Sequence, residues 1–86
     1  MKTVTLYSSP YCPYCMMAKT LLNKLGVNEI VEIGSHENPD AFQKMRQETG
    51  TRTVPQIFIG DVHVGGFSDL RDLHEKGGLL PLLHGE

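Results

Sequence analysis

The chain has 86 residues and a formal net charge of −2. That length makes one small domain, residues 1–86, with a modest core, and so mild an acidity gives no reason to expect nucleic acid or an anionic membrane surface as a partner. No apolar run is long enough to span a bilayer, and Met1-Lys2-Thr3-Val4 leads straight into a strand-like pattern with no apolar signal region, so a cytoplasmic location is expected.

Thr3 to Tyr7 alternates β-branched and apolar residues and predicts a first strand. Ser8-Ser9-Pro10-Tyr11 breaks it into a loop. From Pro13 to Leu25 the apolar residues fall at helical spacing, with Cys15, Ala18, Leu22 and Leu25 on one stripe and Leu21 beside it. Gly26 suits the position just past a helix end, and Lys24 suits the last turn. Asn28 to Ile33 reads as a second strand, so strand, helix and strand imply a parallel βαβ unit. After a loop over Gly34-Ser35-His36-Glu37, Asn38-Pro39-Asp40 signals a helix start, with Asn38 as cap. Ala41, Phe42, Met45 and Thr49 form its inward face and Gly50 ends it.

Gln56-Ile57-Phe58-Ile59 reads as a buried central strand, and Gly60-Asp61 turns it into Val62-His63-Val64, a hairpin. Gly65-Gly66 is a corner. Phe67 or Ser68 opens a third helix with Leu70 and Leu73 inward, and Gly77-Gly78 stops it. Leu79, Leu80, Leu82 and Leu83 are expected to fold back as a short turn around Pro81, with His84-Gly85-Glu86 frayed. The order β-α-β-α-β-β-α, a parallel pair followed by a hairpin and packed by helices on both faces, is a layered α/β domain.

Cys12 and Cys15 are the only cysteines, three residues apart at a predicted helix start. Pro13 suits the first helical position, which puts Cys12 at the N-cap. Unpaired backbone N–H groups and the positive end of the helix dipole there favour a thiolate, the nucleophilic form. A bridge across three residues closes almost no loop, so it makes a poor structural staple. Structural zinc needs four ligands. His36, His63, His74 and His84 are not paired at ligand spacing, so no metal is expected. In a βαβ context the pair reads as a thioredoxin-like redox motif, Cys12 attacking and Cys15 resolving.

Two further stretches stand out. Thr53-Val54-Pro55 precedes a buried strand. A cis bond at Pro55 would leave the Val54 backbone free to pair with an extended, peptide-like ligand. Spacing alone favours an ordinary trans proline that begins the strand. Gly65-Gly66-Phe67-Ser68-Asp69 would let a ligand approach the backbone, bind a carboxylate at the helix N-terminus and hold an amine at Asp69. Taken alone it is more simply a turn with Ser68 and Asp69 as capping residues.

Together these three stretches resemble the glutaredoxin family, and the likeness covers nearly the whole chain. Cys12-Pro13-Tyr14-Cys15 is similar to the family's dithiol site, Thr53-Val54-Pro55 to its cis-proline motif, and Gly65 to Asp69 to its glycine pair and Ser-Asp clamp. The resemblance implies a thioredoxin-like fold with a four-stranded mixed sheet, and it turns the expectation at Pro55 to cis. It implies a glutathione-dependent thiol–disulfide oxidoreductase with glutathione as co-substrate and no tightly bound cofactor. The expected substrates are glutathionylated or disulfide-containing proteins, with glutathione reductase acting indirectly and the chain monomeric.

Tyr14 would border the groove, and the Val54 backbone would pair with the cysteinyl part of glutathione. Gly66, Phe67, Ser68 and Asp69 would hold its γ-glutamyl end. Arg52, directly before Thr53, is the candidate for its glycine carboxylate. The family usually carries Lys or Arg three residues before the first cysteine, and here that position is Ser9. The thiolate at Cys12 is then expected to rest mainly on the helix end. Two rival readings are a redoxin recycled by thioredoxin reductase and a carrier in which two protomers and two glutathiones hold a [2Fe–2S] cluster. The former tends to have Ser-Gly-Phe-Arg-Pro where this chain has Gly65 to Asp69, and Pro13 disfavours the latter by stiffening the turn.

Overall fold

Alternation along the first strand separates the two faces of the sheet. In the computed structural model, which describes residues 1–85, β1 (Val4–Ser8) buries Val4, Leu6 and Ser8 on one face and turns Thr5 and Tyr7 to the other. β2 (Ile30–Gly34) pairs with it in parallel, Val4 opposite Ile30 and Ser8 opposite Gly34. β3 (Gln56–Ile59) pairs with its other side antiparallel, Leu6 opposite Ile57. β4 (Val62–Gly65) continues the hairpin, so the order is β2-β1-β3-β4.

Three helices cover the Val4 and Leu6 face: α1 (Pro13–Lys24), α3 (Phe67–Glu75) and α4 (Leu79–His84). Ala18 and Leu22, then Leu70, then Leu79 and Leu83 meet Ile57 and Ile59 there in one buried cluster. α2 (Pro39–Thr49) lies against the opposite face. Its Phe42 meets the edge of Tyr7 with centroids 5.4 Å apart, and Tyr7 meets Phe58 at 5.7 Å. This is the layered arrangement expected from the sequence. Among the described residues no helix is long and apolar enough to cross a membrane.

The structure corrects three details. The leucines around Pro81 form a true helix, because Pro81 occupies the third helical position, where no N–H donor is required. His84 belongs to that helix and Gly85 closes it at φ 80°, so the helix takes in a residue expected beyond it; Glu86 lies outside the described residues. Asn38 stands at the start of α2 but makes no cap bond. Its Nδ2 donates instead to the Gly34 carbonyl at 3.4 Å, an acceptor that the preceding turn brings within reach.

One polar cluster ties β1, β2 and α1 together. The buried Ser8 hydroxyl donates to Glu32 Oε2 at 2.8 Å, and Lys19 Nζ lies 3.2 Å from Glu32 Oε1. The Ser8 hydrogen bond, more than the nearby Lys19 ammonium, holds the Glu32 carboxyl below its ordinary value. A depressed carboxyl contributes stability that is present above its unfolded pKa and lost as pH falls through its folded one. Ser8→Ala is therefore expected to destabilise most at neutral pH, with the gap to wild type narrowing below the ordinary glutamate value of about 4.3. Thermal melts of both proteins from neutral to acid pH check this; a gap constant with pH would count against it.

Candidate active site

Cys12 stands where a capping oxygen usually sits. It is the N-cap of α1, extended at φ −109° and ψ 96°, with Pro13 in the first turn. The Cys15 N–H donates to Cys12 Sγ at 3.2 Å. The two cysteines are joined as a disulfide, their Cα atoms 5.2 Å apart. Cys12 is half-buried whereas Cys15 is only 3% exposed, so a bulky partner can reach only the first sulfur.

Tyr11, just before the pair, adopts a left-handed φ of 57° with its side chain wholly exposed. A tyrosine in this region costs about 1–3 kcal/mol. The kink turns the chain from Pro10 into the helix start, and no residue signal in the sequence announces it. Ser9 lines a hollow with Glu32 and Glu37, and the Lys19 ammonium pairs with Glu32 at its border, 3.2 Å from Oε1.

A groove of about 300 Å³ opens beside Tyr14. Thr53, Val54 and Pro55 line it from the loop before β3, and Gly66, Phe67 and Ser68 line it from the start of α3. Tyr14 and Phe67 stack with centroids 6.2 Å apart. The Val54–Pro55 bond is cis, as the resemblance implied and against the reading from spacing alone. Gly65 has φ 116°, and the Asp69 carboxylate fills the space where a side chain would begin. Asp69 Oδ2 accepts the Gly66 N–H at 3.0 Å. Asp69 thus caps α3 and lines a separate hollow with Val62, His63 and Asp72.

Arg52 also stands apart from the groove lining. It borders a hollow of about 680 Å³ with Gln43, Arg46, Gln47 and Gly50. That space is larger than the groove but contains no nucleophile, so volume alone does not mark the site. Side chains alternate sides along an extended segment, so adjacency to Thr53 does not put Arg52 on the same wall.

A residue that sequence reasoning passed over does line the groove. Arg71 lies four positions after Phe67, one turn along α3, and its guanidinium carbon is 5.8 Å from the Phe67 ring centroid. The i, i+4 relation to a groove aromatic was the available signal. Among the described residues no group of three or more His, Cys, Asp or Glu side chains is placed to hold a metal ion.

Comparison with known proteins agrees with this arrangement. The Glutaredoxin family model matches residues 4–64. A glutaredoxin of Neisseria meningitidis is 56% identical over 84 residues, covering 98% of this chain and 99% of that protein. One from Pseudomonas aeruginosa is 42% identical over 83 residues, covering 96% and 98%. Among solved structures, a buckwheat glutaredoxin–glutathione complex superposes with a TM-score of 0.88 at 33% identity, over 98% of this chain and 78% of that one. The glutaredoxin of Brucella melitensis gives 0.81 at 44% identity, over 100% and 94%. With a thioredoxin-like sheet, a Cys12–Cys15 pair at a helix start and these relatives, the chain belongs to the glutaredoxin family of redox oxidoreductases.

Proposed function

We propose that the protein is a glutathione-dependent thiol–disulfide oxidoreductase, with Cys12 as nucleophile and Cys15 as resolving thiol. The observation that carries this reading is the unequal exposure of two sulfurs at one helix N-terminus, beside a groove of tripeptide size. The similar buckwheat protein with glutathione in its structure supports the choice of thiol.

On a glutathionylated protein, the Cys12 thiolate attacks the glutathione sulfur. The mixed S–S bond breaks, and the protein thiolate leaves and takes a proton. A second glutathione thiolate attacks the glutathione sulfur on Cys12, giving glutathione disulfide and restoring the Cys12 thiolate. On a protein disulfide, Cys12 forms the mixed disulfide and Cys15 displaces it, leaving both cysteines oxidised. Two glutathiones then return them to thiols. Glutathione reductase would consume the glutathione disulfide, and a monomer in the cytoplasm suffices for the cycle.

Glutathione carries two carboxylates and one ammonium. The α3 N-terminus, with Ser68 and Arg71 beside it, suits the γ-glutamyl carboxylate. Asp69 suits the ammonium, and the Val54 backbone suits the central cysteinyl unit. Arg52, in its hollow beyond Thr53, suits the glycine carboxylate. Arg71→Glu is accordingly expected to raise KM for a glutathionylated peptide by roughly fivefold at low salt, the factor given by about 1 kcal/mol. The effect shrinks near 1 M salt, where screening acts within about 3 Å. Steady-state kinetics at two ionic strengths measure it, and an unchanged KM at low salt removes Arg71 from the groove.

The test of the function is reduction of a glutathione mixed disulfide by the wild-type protein with glutathione and glutathione reductase. Turnover supports the proposal. Failure there, with turnover by thioredoxin reductase, selects the rival redoxin. A brown dimer after anaerobic purification selects the cluster carrier.

A further inference from the structure

Gln56 is 2% exposed and follows directly after the cis-proline. Its amide is fully engaged. Nε2 donates to the Thr53 carbonyl at 3.0 Å and approaches Thr53 Oγ1 at 3.2 Å. Oε1 lies 2.7 Å from His63 Nε2. With the amide nitrogen committed to Thr53, the oxygen faces His63, so His63 must donate from Nε2. The histidine is held in turn: it lies opposite Phe58 across the β3–β4 pair, beside the register shift, and its ring stacks on Phe58 at 4.7 Å.

We infer that His63, through the Gln56 amide, is the positioning residue for the Thr53–Val54 edge of the groove. This rests on the proposed role of Val54 as the backbone partner of glutathione. An amide has a polar atom on each side and a broad terminal torsion. The Thr53 carbonyl and the His63 donor select the same one of its two orientations. Without that donor the amide is held from one end only, and its torsion can swing about the Thr53 contact. Thr53 is exposed and Val54 half-buried, so this hydrogen-bonded link from the second hairpin strand supplies the restraint that packing does not. His63 touches neither sulfur nor groove; it acts on the wall and leaves the nucleophile alone.

The experiment compares His63→Phe, which retains a ring on Phe58 but loses the donor, with His63→Gln, whose amide nitrogen reaches about as far as imidazole Nε2. His63→Phe is expected to raise KM for a glutathionylated peptide about 3- to 10-fold, the factor set by one net hydrogen bond, with kcat unchanged. His63→Gln is expected to restore the wild-type KM. In a double mutant with Gln56→Met, the His63 substitution should add nothing. Partial unfolding would lower apparent kcat without changing KM, so a merely structural role is distinguished. A second readout needs no glutathione: the Val54 amide order parameter should drop from about 0.85 towards 0.6 in His63→Phe and stay high in His63→Gln. An unchanged order parameter in His63→Phe, or additive KM effects in the double mutant, overturns the inference. An inactive wild type overturns the proposed function instead, and the order parameter still decides the relay.

Discussion

Cys12→Ser is expected to lose turnover of glutathione mixed disulfides by about 1,000-fold or more, the scale of removing an enzyme's nucleophile. Cys15→Ser should retain that reaction and lose the reduction of protein disulfides. The asymmetry follows from burial. Cys15, at 3% exposure, meets only a partner already attached to Cys12, three residues away. A glutathione on Cys12 can be removed by a second glutathione from solution, with no need of Cys15. A protein disulfide leaves Cys12 joined to a bulky partner, and the adjacent thiol is then the group placed to release it. The coupled assay with glutathione reductase, run on both substrates, measures the two effects. Equal loss in both variants with the mixed disulfide would make the cysteines interchangeable and sink the assignment.

Leu6→Ala is expected to cost about 2–5 kcal/mol, the range for removing a fully buried leucine and leaving a cavity. Leu6 is 0% exposed on the strand flanked by both β2 and β3, facing the cluster built by α1, α3 and α4. A small domain has about 5–15 kcal/mol in total, so the melting temperature should fall by at least about 10 °C. Leu80→Ala is the internal comparison. Leu80 is 43% exposed, so its loss should stay within about 0.5 kcal/mol. Denaturant titration of both variants checks the contrast, and similar midpoints would mean that the cluster is not the seat of stability.

The fold was largely legible because its signals were local. Val4 and Leu6 alternate with polar partners, Cys15, Ala18 and Leu22 keep helical spacing, and Gly50 ends α2 in the left-handed conformation that glycine permits, at φ 72°. Leu79 to Leu83 reads as a turn because five residues with a central proline are too few for periodicity to speak. The dithiol and both groove walls were legible as motifs. What was missed depends on which way side chains point in three dimensions. Arg71 looks like an ordinary helix charge until Phe67 turns its face to the groove. Arg52 directly precedes Thr53, and the chain sets it in the hollow beside Arg46, which the sequence does not announce. Tyr11 gives no warning of its backbone, because tyrosine rarely enters the left-handed region.

The family match ends at residue 64, but the packing does not. Leu70, Leu79 and Leu83 are fully buried in the cluster with Leu6, and the Lys2 N–H donates to the Leu83 carbonyl at 2.6 Å. Phe67, Ser68 and Arg71 also build one side of the groove. A transplant or truncation cut at the boundary of recognisable similarity would keep the redox motif yet open the sheet to water and remove half of the groove lining. Any graft of this dithiol into another scaffold must therefore carry the chain through Leu83.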